Sequence, residues 1–129
     1  MVIKTLSRKS GTSQLINYLF KDERKHGNDK PIVIRHNIRS RSVKGYIKEF
    51  EKNAESRIHK RKDAVAVHHS ILSFNKLDKE HINEKVLKSI AKKYIELRGL
   101  NNLYVITSHH DRSHIHIHVA MSGTQLNGL

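Results

Sequence analysis

The sequence predicts an α+β domain, a mostly antiparallel sheet with helices packed on it. Three observations predict it. Short β-branched runs alternate along the chain with stretches whose apolar residues recur at helical spacing. One C-terminal run alternates residue by residue between His and branched apolar side chains, the period of a half-buried strand. That run and the apolar run before it are separated by a short turn segment, which reads as an antiparallel hairpin. At 129 residues the chain is one domain with one modest core.

The elements follow in order. Residues 2–6 form a strand. The turn-prone Ser10-Gly11-Thr12-Ser13 then caps a helix running through Leu15, Ile16, Leu19 and Phe20. The polar run 21–30, ended by Pro31, is a loop, and Ile32-Val33-Ile34 is a second strand. Ser42 caps a helix from 43 to about 56 that carries Ile47, Phe50 and Ala54 at helical spacing. Residues 64–74, apolar and β-branched, make a central strand. Asp78 caps the longest helix, with Ile82, Val86, Ile90 and Leu97 on one stripe and Gly99 as its stop. Residues 103–107 and 114–121 are two strands joined at Asp111-Arg112-Ser113.

Charge narrows the partner. Lys and Arg number 25 against 12 Asp and Glu, a formal net charge of +13. Such an excess points to a polyanion, nucleic acid ahead of a membrane. No segment has the apolar length of a membrane span, and the N-terminus lacks the apolar run of a signal peptide. The absence of Cys excludes disulfides, thiolate metal sites and cysteine nucleophiles, and fits a cytoplasmic protein without membrane insertion.

The segment from His109 to Val119 carries the chemistry. In a strand, His114, His116 and His118 share one face while Ile115, Ile117 and Val119 share the other and pack into the core. Neutral imidazoles converging without thiols suit a borderline divalent cation and leave coordination positions open. Alternate strand residues stand roughly 7 Å apart, so the three strand histidines cannot be equally close to one ion. Two strand neighbours and one His from the preceding segment make a compact triad. Of the paired His68 and His69, one points to each face, and the inward one is more often a satisfied core residue than a ligand. His26, His36, His59 and His81 are most simply surface residues. Arg39 and Arg41, and Arg57, Lys60, Arg61 and Lys62, form two basic clusters, either tracks for a DNA backbone or solvated faces. Packing on apolar helix faces explains Tyr46 and Tyr94, and Tyr104 in a strand could be core or edge. Tyr18, flanked by Leu15, Ile16, Leu19 and Phe20, could be core too, so residue chemistry alone gives Tyr18 no lead.

Three segments together resemble the motifs of plasmid relaxases, the mobilisation nucleases of the HUH endonuclease superfamily. The first joins residues 1–4, Ser7-Arg8-Lys9-Ser10 and Leu15-Ile16-Asn17-Tyr18-Leu19. The second is His68-His69-Ser70-Ile71-Leu72-Ser73-Phe74. The third is His109-His110-Asp111 followed by the His strand.

The resemblance implies the HUH-endonuclease fold and a nucleophile at Tyr18. It implies a metal set of His109, His116 and His118, with His114 at a position the family fills variably. Asp111 would orient an imidazole or help deprotonate the tyrosine, the competing reading being an ordinary turn aspartate. Ser73 would contact DNA near the cleavage site. The cofactor implied is one divalent ion, magnesium or manganese, with zinc as the alternative. The reaction implied is nicking and strand transfer on single-stranded DNA at an origin of transfer, through a 5′-phosphotyrosyl link, with accessory mobilisation proteins as partners in conjugative mobilisation. The alternatives are a DNA- and metal-binding domain without turnover, or a rolling-circle replication initiator; a tyrosine preceding the histidines favours the relaxase. Residues 1–129 would be the N-terminal nuclease domain, expected to be truncated because such domains continue beyond the His strand into further helices.

Overall fold

The computed structural model describes residues 1–21, 31–110 and 114–129. Its strands are β1 (Val2–Arg8), β2 (Val33–His36), β3 (Val67–Ser73), β4 (Asn102–His110) and β5 (Ile115–Gln125). They pair antiparallel in the order β1-β3-β5-β4-β2, so the His strand β5 is the middle strand. This is the expected α+β architecture, and β4–β5 is the expected hairpin. The turn predicted at Asp111-Arg112-Ser113 and most of the loop predicted at 21–30 lie outside the described residues.

The helices α1 (Thr12–Phe20), α2 (Val43–Glu55) and α3 (Glu84–Arg98) cover both faces of the sheet. On one face α3 packs Leu87, Ala91, Tyr94 and Ile95 against Ile115, Ile117 and Val119 of β5 and Tyr104 and Ile106 of β4. On the other, α1 contributes Leu15, Ile16, Leu19 and Phe20 and α2 contributes Tyr46 and Phe50, over Val67, Val105 and Ala120. A middle strand flanked by helices on both sides is buried along its length. The burial of Ile115, Ile117 and Val119 is as the alternation predicts.

Several boundaries move. Ser42 does cap α2, accepting from the Gly45 amide at 3.1 Å. In α1 the cap is Gly11, whose positive φ of 85° turns the chain and whose carbonyl accepts from the Leu15 amide. The longest helix starts five residues later than Asp78 predicts. Asn83 caps it by accepting from the Val86 amide at 2.9 Å, while Lys76–His81 forms a 3₁₀ turn. The buried face is accordingly rotated to Leu87, Ala91, Tyr94 and Ile95, and Leu97 points to solvent. Gly99 ends the helix as expected, at φ 135°. β4 extends to His110, and His114 lies outside β5, exposed.

Ile117 is fully buried at the centre of the α3 face, directly behind the His row. Ile117→Ala should lower unfolding stability by about 2–5 kcal/mol, read from urea denaturation midpoints. A loss under about 1 kcal/mol would show that this face does not anchor the strand.

Candidate active site

Strand alternation and register assemble the site. His116 and His118 leave β5 on the face opposite Ile115 and Ile117, and the antiparallel register sets His109 of β4 directly across from His116. β3 brings Ser73 opposite His116 on the other side. β1, the edge strand beyond β3, adds Val2 and Lys4. The last turn of α1 closes over them with Tyr18 and Lys21. These residues, with Ile71, line a cleft of about 580 Å³ at one end of the sheet.

Tyr18 separates from the other tyrosines by exposure. Its helix neighbours Leu15, Ile16, Leu19 and Phe20 are buried, but Tyr18 is 57% exposed. Its ring meets those of His109 and His118 edge-on, with centroids 6.2 and 6.3 Å apart. Tyr46, Tyr94 and Tyr104 are core residues. The Tyr94 hydroxyl bonds Ser70, and that of Tyr104 donates to the Gly99 carbonyl at 2.6 Å, while burial raises the Tyr104 pKa to about 12.

Each cleft imidazole is held by a different partner. His109 Nε2 lies 2.8 Å from the Leu19 carbonyl, which only accepts, so Nε2 carries the proton. The bond also satisfies one of the carbonyls left open at the end of α1 and ties the helix of Tyr18 to the His face. His116 Nδ1 shares a 3.0 Å hydrogen bond with Ser73 Oγ. His118 Nδ1 lies 3.0 Å from His69 Nε2, the inward member of the His68-His69 pair. The ring centroids of His109 and His118 are 4.0 Å apart, and those of His116 and His118 are 6.3 Å apart. Among the described residues, no three His, Asp or Glu side chains are already drawn into ligand geometry. Burial lowers the pKa of His69 to about 4 and of His118 to about 3, with neighbouring positive charge adding to it. Both are therefore neutral at pH 7, the form a metal ligand requires.

The structure does not bring every candidate together. Asp111 lies outside the described residues, as does His26. Exposed His114 does not line the cleft. Arg39 and Arg41 follow β2 at the Asn102 end of β4, where Asn37 bonds the Asn102 carbonyl. His109 stands near the opposite end, roughly 23 Å away at about 3.3 Å per residue. The Arg57 guanidinium is partly engaged, donating to the carbonyls of Val65 and Gly123. Lys4 and Lys21, which the sequence does not single out as site residues, are the described cations that line the cleft. The only signal for Lys4 was its strand parity, which becomes informative once β1 is known to pair with β3. No described carboxylate lines the cleft, so its electrostatic bias favours a phosphate backbone.

The family model "Relaxase: MobA/VirD2-like, nuclease domain" matches residues 18–129. The chain belongs to this family. Among solved structures it is similar to the MobM relaxase domain (MOBV; Mob_Pre) bound to 26-nucleotide pMV158 oriT DNA. The TM-score is 0.61 at 21% identity, covering 99% of this chain and 71% of that one, which establishes a shared fold. No curated protein matches the chain. No helix among the described residues is long and apolar enough to cross a membrane.

The two depressed histidines give the chelator-treated protein a characteristic acid response. Unfolding frees both rings to take up protons below about pH 6.5, while the folded chain holds them neutral down to about 4 and about 3. Stability should therefore fall as the pH drops from 6.5 towards 4, and these rings should contribute no pH dependence above about 7. Thermal midpoints across pH 4–8 measure it. A smaller slope in His69→Gln than in the wild type is expected; equal slopes would contradict the buried neutral assignment.

Proposed function

We propose that the domain nicks single-stranded DNA at an origin of transfer by attack of the Tyr18 hydroxyl on the scissile phosphate, with one divalent cation held by His109, His116 and His118. The observation that carries this reading is the placement of Tyr18, the exposed tyrosine, over the imidazole face of the cleft. Family membership and the cationic lining support it.

The donor set fits a metal. Three neutral-capable imidazoles share one face, and the backbone register already sets His109 across from His116. With Nδ1 of His116 and His118 engaged by Ser73 and His69, each would ligate through Nε2; His109, donating from Nε2, would ligate through Nδ1. When bound, a divalent ion of the magnesium or manganese type supplies charge neutralisation to the phosphate oxygens.

The chain's own residues do the rest. Tyr18 Oη forms the new bond to phosphorus, and the bond from phosphorus to the 3′-oxygen breaks. The product is a 5′-phosphotyrosyl link and a 3′-oxygen that takes a proton from solvent to become a free 3′-hydroxyl. The phenolic proton must leave, and Asp111, two residues after His109 in sequence, is our candidate acceptor on the strength of the motif it completes. One phosphodiester replaces another, so the same site can rejoin the strand. Lys4 and Lys21 hold the backbone entering the cleft. Ser73, assigned to DNA contact by resemblance, acts here chiefly through His116. DNA contacts by Arg39 and Arg41 would fall on the flanking strand, away from the scissile phosphate.

Incubation with a library of single-stranded oligonucleotides and manganese should give denaturant-resistant protein–DNA adducts. Tyr18→Phe should abolish them while changing stability by no more than about 0.5 kcal/mol, given its exposure, and while retaining manganese and DNA binding. His116→Ala should abolish manganese binding in calorimetry. Adducts formed by the Phe variant would contradict the mechanism.

A further inference from the structure

His69 lies outside both the proposed ligand set and the nucleophile, yet it is buried against them. It is 4% exposed on β3, in register with Ala120 and so diagonal to His118 on the same face. Its Nε2 stands 3.0 Å from His118 Nδ1, with the two ring planes 24° apart and their centroids 5.2 Å apart. Its other nitrogen, Nδ1, is buried with no hydrogen-bond partner. A core histidine kept for packing alone would pair both nitrogens or be replaced by an apolar side chain.

Only one proton fits on the line between two imidazole nitrogens. If it sits on His69 Nε2, the neutral His118 ring carries its own proton on Nε2 and cannot ligate there. If it sits on His118 Nδ1, His118 Nε2 presents a lone pair to the cleft, and His69 accepts. We infer that His69 is a positioning residue for a divalent cation: it accepts the Nδ1 proton of His118, fixing that ring in the tautomer and orientation that ligate through Nε2. The inference rests on the metal site proposed above. It requires no change of charge on either ring, only the side of the bond on which the proton lies. In the accepting state His69 holds its own proton on Nδ1, an atom that has no hydrogen-bond partner in either tautomer.

Manganese ion alone, titrated by calorimetry into the wild type, His69→Leu and His69→Gln, tests it. Leu keeps the buried volume and removes the acceptor; Gln places an amide oxygen near the position of Nε2. His69→Leu should weaken binding about 10–100-fold with a folded circular-dichroism spectrum, and His69→Gln should recover most of the loss. Wild-type affinity in a folded Leu variant, or equal loss in folded Leu and Gln variants, would overturn the inference while leaving the metal site standing. No saturable binding by the wild type would overturn the metal site and the inference with it. Nitrogen NMR of the zinc-loaded wild type gives a reading independent of how the variants fold. His118 should carry its proton on Nδ1, hydrogen-bonded to His69, and a proton on its Nε2 instead would overturn the inference.

Discussion

The strict alternation of β5 is the constraint on which the rest depends. Because strand side chains change face at every residue, the same segment supplies Ile115, Ile117 and Val119 to the α3 core and His116 and His118 to the opposite face. Placing that strand in the middle of five gives it neighbours on both edges. β4 can then set His109 beside His116, and β3 can set Ser73 and His69 beside His116 and His118. A slip of one residue would turn the imidazoles into the core and the isoleucines into the cleft.

Helix α1 completes the site through a division of labour between its faces. Leu15, Ile16, Leu19 and Phe20 secure it against α2 and the sheet, which leaves Tyr18 exposed at the flank next to the histidines. The bond from His109 to the Leu19 carbonyl ties its C-terminal turn to β4. The tyrosine and the imidazole face are thus positioned by one packed unit, and the lysines at its edge give a polyanion a favourable approach.

Much of this was legible in the sequence, for physical reasons that vary by residue. The His strand and its buried back are periodic, and period is a local property. The hairpin joins neighbouring segments, so it was legible too. The start of α3 was not, because Asp78 and Asn83 are both able caps and the choice depends on which helical face meets the sheet. That choice also left Leu97 in solvent. Tyr18 was distinguishable only by resemblance, since its neighbours are as apolar as those of the buried tyrosines. Lys4 and the pairing of His69 with His118 depend on strand order, which brings together residues far apart in the chain. The place of Arg39 and Arg41, at the end of the sheet away from the cleft, depends on β2 in the same way.

The central claim is that one face of the middle strand, together with His109, forms a cation site beneath Tyr18. An anomalous-difference map from crystals soaked in manganese tests it most directly. The account predicts one strong peak bonded to His109, His116 and His118, with the Tyr18 hydroxyl on the same side of the sheet. A peak held instead by His114, or one seated at the Asn102 end of β4, would contradict it.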